Sequence, residues 1–128
     1  MILDTSAILS MILAEPDARA FESRIDGADL VGVGSPTLVE AGIVLGSRLP
    51  TSARVILERY LGHIGAEIIP FGDEHWKVAL DAAARFGKGR HPAALNLGDC
   101  LSYATARVAG RPLLCKGDDF ARTDIELG

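Results

Sequence analysis

Short apolar runs alternate along this chain with longer segments whose apolar residues recur at helical spacing. The runs predict four strands, over residues 1–3, 30–33, 67–69 and 113–115. The other segments predict six helices, over residues 6–13, 16–26, 35–49, 52–64, 73–83 and 97–110. Strands that alternate with helices are typical of an α/β domain with a parallel sheet. The pattern leaves the order of the strands open.

One domain over residues 1–128 accounts for the sequence. Hydrophobic residues fill 48% of the positions, enough for a core, and no internal repeat or Gly/Ser-rich linker divides the chain. We expect no membrane span, because no apolar stretch approaches the roughly 18 residues that one needs, and no secretory signal. Cys100 and Cys115 lie in apolar segments, where a thiol is usually buried. A reducing cytoplasm is the expected compartment.

The charge balance is acidic. Lys and Arg number 13 against 17 Asp and Glu, which gives a formal net charge of −4. A protein that binds nucleic acid through its overall charge is basic. Any contact with nucleic acid must therefore depend on a local basic patch, or on metal ions that neutralise acidic groups.

Two acidic residues stand in apolar surroundings. Asp4 directly follows the first strand, where it either caps the next helix or, as a part-buried charge, needs a partner. Glu40 lies in the helix over residues 35–49, and Thr37 with Glu40 matches a capping box. That helix is apolar nearly all round, which predicts burial, and it offers Glu40 no cation within a turn. We favour a functional role for Glu40.

Three more acidic residues stand at the start of a helix or directly after a strand. Asp99 stands in the first turn of the last helix, where Asn96 caps and the helix dipole favours an acid. Asp118 and Asp119 follow the fourth strand, in a turn where acids are common. Each has an ordinary structural explanation. As a set, carboxylates that follow several strands meet at one edge of an open sheet, and such oxygen ligands suit hard divalent cations.

At this point the chain resembles the PIN-domain toxins of the VapC type. The matching pieces occur in family order and span essentially the whole chain: Ile2–Ala7, Glu40, Asn96–Cys100 and Leu113–Phe120. The resemblance implies a PIN-like three-layer α/β fold, with a central parallel sheet flanked by helices. It also implies a metal-dependent endoribonuclease that a cognate VapB-type antitoxin neutralises.

The resemblance also implies roles for single residues. Asp4, Glu40 and Asp99 match the family's acids, which bind Mg²⁺ with Mn²⁺ as a substitute. Asp119 is our first choice for the fourth acid, and Asp118 is the alternative. Thr5 or Ser6 resembles the hydroxyl that supports the first aspartate in the family.

RNA must still be attracted to an acidic protein. The loop over residues 85–91 is locally basic, and Lys88, Arg90 and Lys116 are the cations that we expect to contact RNA, although such a loop is also ordinary at a surface. A homodimer is expected as well, because the helices over residues 6–13 and 21–25 carry apolar residues that one small domain does not fully bury.

Two other functions compete. A phosphatase of the haloacid dehalogenase type needs a second aspartate two residues after the nucleophile, and Ser6 stands at that position. The second alternative is a catalytically inactive PIN-fold module that binds RNA or protein. Its mark would be a lost acid, but all four acids are present.

Overall fold

A computed structural model describes all residues 1–128. Its centre is a four-stranded, fully parallel sheet in the order β3-β2-β1-β4. The strands are β1 (Ile2–Leu3), β2 (Gly32–Gly34), β3 (Glu67–Ile69) and β4 (Leu113–Leu114). Both the parallel sheet and the position of each predicted strand are confirmed.

Six α-helices connect the strands, as the sequence predicts. They are α1 (Thr5–Ile12), α2 (Ala18–Asp26), α3 (Ser35–Arg48), α4 (Ala53–Ile64), α5 (Asp73–Phe86) and α6 (Leu97–Ala109), and a short 3₁₀ turn follows at Phe120–Arg122. The start of α2 lies two residues after the predicted Pro16, and α5 extends one turn beyond the predicted Ala83. None of these helices combines the length and apolarity that crossing a membrane requires.

The core lies in two layers, one on each face of the sheet. Leu3, Val33 and Leu114 point into a cluster built with α1 to α4. Ile2 and Leu113, their neighbours on the strands, point into the other cluster, built mainly with α5 and α6. Neighbouring strand residues face opposite sides, so the sheet is covered on both faces. This is the predicted three-layer α/β/α arrangement.

The strand order determines where a site can form. The chain builds β1, β2 and β3 outwards in one direction, and then returns to place β4 on the other side of β1. Such a reversal opens a crevice at the carboxyl ends of the strands, where open α/β sheets bind their ligands. Asp4 follows β1 at this crevice, and the turn over residues 115–119 follows β4 beside it.

Two expectations about helix α3 are wrong. The helix begins at Ser35 with Gly34 as its N-cap, so Glu40 lies in its second turn and forms no capping box with Thr37. The helix is also not buried all round, since Val39 and Ile43 are 64% and 69% exposed. Only Thr37, Ala41 and Leu45 form its buried stripe. Apolar composition does not by itself show which faces of a helix are covered.

The premise behind the predicted dimer surface is also wrong. Ile8, Met11, Phe21 and Ile25, on α1 and α2, are all buried within one chain. These helices pack on the sheet and on each other, and they leave no large apolar surface. The exposed large apolar side chains near the carboxyl edge of the sheet lie elsewhere: Val39, Ile43, Ile68, Trp76, Leu80 and Leu97.

Candidate active site

Asp4 is buried and held by the start of α1. Its backbone is the N-cap of the helix, and its carboxylate Oδ2 accepts hydrogen bonds from the Ser6 amide at 3.0 Å and the Ser6 hydroxyl at 2.5 Å. The Ser6 Oγ in turn accepts a bond from the Lys116 amide at 2.9 Å, which ties the end of β1 to the turn after β4. Both bonds to Asp4 use the same oxygen, and Oδ1 makes no hydrogen bond within the chain.

Glu40 reaches the same crevice from α3. Its carboxylate lies against the backbone of Gly98, where a Cβ atom would stand 2.8 Å from Cδ and 3.0 Å from Oε1. Burial raises the pKa of Glu40, and the negative charges of Asp4 and Asp99 raise it further. Glu40 therefore forms no capping box in α3, and its carboxylate contacts the first turn of α6 instead.

Asp99 completes the capping box of its helix, whose N-cap is Asn96, and belongs to the acidic group at the same time. Its Oδ2 accepts the Asn96 amide, while the Asn96 side chain accepts the Asp99 amide, both at 2.9 Å. Burial is the main cause that raises the pKa of Asp99; the Asn96 amide opposes it, and the charges of Asp4 and Asp119 add to it. A structural role at the start of the helix and a functional role in the acidic group are thus both compatible with the geometry of Asp99.

The two aspartates after β4, Asp118 and Asp119, differ in their effect on neighbouring pKa values. Asp119 stands just before the 3₁₀ turn, and its negative charge raises the pKa of both Asp99 and Cys115. Both aspartates are exposed, and Asp118 contributes to neither shift. Asp119 is therefore the member of the pair whose charge acts on Asp99, and we group it with Asp4, Glu40 and Asp99 as the candidate fourth acid. We call Asp4, Glu40, Asp99 and Asp119 the acidic cluster.

No cation of the chain neutralises the acidic cluster. None of its four members forms an ion pair. Lys116 lies beside it, but its ammonium pairs with Glu15 at 2.6 Å and with Asp17 at 3.3 Å. Burial and the nearby carboxylates also raise the pKa of Cys115 to about 12. Repulsion between carboxylates held together in this way is relieved by protonation or by a bound cation.

The donor set suits a divalent cation. Its atoms are carboxylate oxygens, the ligands that Mg²⁺ and Mn²⁺ prefer. The Thr5 hydroxyl is buried beside Glu40, and its contact with the carboxylate lowers the pKa of Glu40 without reaching the geometry of an ordinary hydrogen bond. The side chains do not stand as a ready group of three metal-holding residues. A bound ion would have to draw the carboxylates inwards.

The predicted RNA-binding cations fall into two kinds. Lys88 and Arg90 are exposed in the loop between α5 and α6, and neither forms an ion pair. They edge an apolar groove that contains Trp76, Leu80 and Leu97 and ends at the first turn of α6, close to Asp99. Lys116, in contrast, is already paired, as described above.

Sequence reasoning missed three contributors. Gly98 makes room for Glu40, Glu15 with Asp17 holds Lys116, and Asp124 joins α6 to the C-terminal segment. Of these residues, only Gly98 belongs to a segment that resembles the family, Asn96–Cys100. The other contacts join residues far apart along the chain, and no local pattern marks them.

Comparison with known proteins gives the family. The family model of the PIN domain matches residues 1–126. The chain belongs to the PIN-domain family. Curated relatives carry the name VapC: it is 43% identical to ribonuclease VapC36 of Mycobacterium tuberculosis, over 99% of this chain and 92% of that one. It is 36% identical to ribonuclease VapC of Mycolicibacterium smegmatis, over 98% and 97% of the two chains. The resemblance to VapC-type PIN proteins is confirmed, and the phosphatase alternative loses its support.

Solved structures agree on the fold. The VapBC2 structure from Rickettsia felis, bound to a DNA fragment from the promoter, superposes with a TM-score of 0.78 at 18% identity, over 99% of this chain and 96% of that one. VapC20 of Mycobacterium tuberculosis, described as a sarcin–ricin loop cleaving toxin, gives a TM-score of 0.74 at 16% identity, over 97% and 95%. These PIN folds match from one end of the chain to the other.

Proposed function

We propose that this protein is a metal-dependent endoribonuclease toxin of the VapC type, which hydrolyses phosphodiester bonds of RNA at the acidic cluster. The observation that carries the proposal is the convergence of Asp4, Glu40, Asp99 and Asp119 at the carboxyl edge of the sheet without a neutralising cation. The ribonuclease names of relatives that match nearly the full chain support the same activity.

The proposed cofactor is Mg²⁺, with Mn²⁺ as a substitute, and Asp4, Glu40, Asp99 and Asp119 would hold it. When bound, such an ion supplies an acidified water and stabilises negative charge on the phosphate. Hydrogen bonds within the chain restrain two of these carboxylates: Ser6 holds one oxygen of Asp4, and the Asn96 amide holds one oxygen of Asp99. Supporting hydrogen bonds of this kind orient ligands and tune their affinity.

RNA is the proposed substrate, and Lys88 and Arg90 are the proposed contacts to its phosphates. Both ammonium and guanidinium groups are exposed, unpaired and close to the first turn of α6, which carries Asp99. Phosphate contacts of this kind position RNA without reading its sequence. Lys116 is the weaker candidate, because Glu15 and Asp17 already neutralise its charge.

The proposed partners are a VapB-type antitoxin and a second copy of the chain, acting in the cytoplasm where RNA is available. Similar folds have been solved as toxin–antitoxin complexes, including VapBC2 of Rickettsia felis, which supports the antitoxin. The exposed Trp76, Leu80 and Leu97 support a homodimer, because clustered apolar residues at a surface commonly mark a partner site. This surface replaces the one that the sequence suggested.

The decisive experiment is cleavage of total RNA by the purified protein. We expect cleavage with Mg²⁺ or Mn²⁺, none after EDTA treatment, and none from Asp4→Asn with either metal. Activity that survives exhaustive chelation and dialysis would overturn the metal-dependent mechanism. RNA binding without cleavage, in every metal tested, would favour the inactive PIN-fold module instead.

Glu40→Gln separates ligation from structure. The amide keeps the shape of the side chain but removes the charge that a cation needs, so we expect loss of cleavage and weaker Mn²⁺ binding. Removing one of several crowded carboxylates relieves repulsion, so the melting temperature of the metal-free protein should stay the same or rise. Glu58→Gln, on exposed α4, is the matched control and should cleave normally. Full activity of a folded Glu40→Gln protein would remove Glu40 from the site.

A further inference from the structure

Gly98 occupies an unusual position in the acidic cluster. It is the second residue of α6, one position before Asp99, and its backbone has ordinary helical geometry with no positive φ. The helix itself therefore does not require glycine here. Alanine would serve the helix better, since glycine is the poorer helix former.

The contact that requires glycine is the one with Glu40. An added Cβ would stand 2.8 Å from the Cδ of Glu40, 3.0 Å from Oε1 and closer still to Oε2. No other atom is within such reach of that position. The obstacle is the end of a flexible side chain rather than backbone, so the carboxylate can be pushed aside while the fold stays intact.

We propose that Gly98 is a positioning residue for the metal site: its missing side chain is what lets the Glu40 carboxylate lie beside Asp99. This inference rests on the proposed function. Asp4 and Asp99 are oriented by hydrogen bonds from Ser6 and Asn96. Glu40 is held more loosely: the Thr5 hydroxyl beside it lowers its pKa, but this contact lacks the geometry of an ordinary hydrogen bond. The shape of the Gly98 backbone fixes the place of Glu40 instead.

The test compares Gly98→Ala with the wild-type protein by calorimetric titration with Mn²⁺ and by the rise in melting temperature that Mn²⁺ causes. Loss of a group that orients a ligand typically weakens metal binding about 10- to 100-fold, and we expect a loss of that size. Gly46→Ala is the control on α3, where the nearest atom to an added Cβ lies at 4.0 Å. It should bind Mn²⁺ as the wild type does.

The double variant shows whether Gly98 acts through Glu40. In a Glu40→Ala background the three atoms nearest to the added methyl group are gone, so Gly98→Ala should cause no further loss of Mn²⁺ affinity. An equal loss in both backgrounds would overturn the proposal, and so would wild-type affinity of Gly98→Ala. If Gly98→Ala alone failed to fold, the double variant should fold; a double variant that is also unfolded would show that the helix itself needs glycine.

A crystal structure of Gly98→Ala tests the inference independently of the proposed function. We expect the Glu40 carboxylate to have turned away from α6 while the helix keeps its position. A helix that has moved, with Glu40 unchanged, would overturn the proposal. If the wild-type protein binds no Mn²⁺, the proposed function fails, but this structural outcome still decides the role of Gly98.

Discussion

The carboxylate of Asp124 joins the C-terminal segment to helices α5 and α6, and its removal should weaken the fold by a predictable amount. Asp124 accepts hydrogen bonds from Tyr103 and Arg107 on α6, both at 2.6 Å, and from Arg85 on α5 at 3.0 Å. This segment directly follows Asp119. The variant Asp124→Asn keeps the shape but loses the charge, and we expect it to loosen the link between Asp119 and α6.

The magnitude follows from the pKa of Asp124. The bond from Tyr103, followed by the charges of Arg85 and Arg107, lowers that pKa from 3.8 to about 2. A difference of this size corresponds to about 2.4 kcal/mol between the charged and neutral forms. The Asp124 side chain is 42% exposed, so solvent screening reduces the contribution to about 1–1.5 kcal/mol.

The sign of the pH dependence is fixed by the same shift. The folded-state pKa of Asp124 lies below its unfolded value, so the stabilisation is complete above about pH 4 and is lost as the pH falls towards 2. Urea unfolding at pH 7 should show Asp124→Asn less stable by about 1–1.5 kcal/mol. The gap between the two proteins should narrow as the pH is lowered from 4.

A matched control separates this network from ordinary surface pairs. Glu58 forms an exposed ion pair with Arg54 on α4, and Glu58→Gln should cost no more than about 0.5 kcal/mol. Equal stability of Asp124→Asn and the wild type at pH 7 would refute the reasoning. A gap that widens on acidification would refute it as well, because it would mean that the neutral form is the one the fold favours.

Two further predictions concern RNA and assembly. The double variant Lys88→Gln/Arg90→Gln should weaken RNA binding and reduce its salt dependence without changing Mn²⁺ affinity, whereas Lys116→Gln should change RNA binding little. Filter binding at several salt concentrations measures both effects. A larger loss of RNA binding in Lys116→Gln would contradict the argument that Glu15 and Asp17 already neutralise Lys116. Leu80→Glu should shift the protein towards monomer in sedimentation, while Val55→Glu on α4 should not; an unchanged oligomer in Leu80→Glu would exclude this surface.

The fold was largely predictable because its elements are marked locally. Strands β1 and β4 stand out as short apolar runs, and Asp4 directly follows the first of them. Apolar residues at helical spacing mark the six helices, and Gly110 ends α6 in the left-handed conformation that favours glycine. The three-layer arrangement then follows from the alternation of strands and helices, since parallel strands need helical connections.

The remaining features depend on contacts that no local pattern carries. Gly98 meets Glu40 across nearly half the sequence, and Lys116 is neutralised by Glu15 and Asp17 from the loop between α1 and α2. The exposed face of α3 was misjudged for a related reason. Its composition is apolar, but burial depends on the neighbours that the strand order supplies, and that order could not be derived from the sequence.

At this site one carboxylate can both support a helix end and bind metal. The acids therefore differ in what their removal should cost. Asp4 is the N-cap of α1, Asp99 completes the capping box of α6 by accepting the Asn96 amide, and both belong to the acidic cluster. Removing such a capping side chain costs about 1 kcal/mol, so Asp4→Ala should lose both metal binding and stability. Glu40 caps nothing, so Glu40→Ala should lose metal binding alone. Denaturation curves of the two metal-free variants test this contrast, and equal losses of stability would show that Glu40 also holds the fold together.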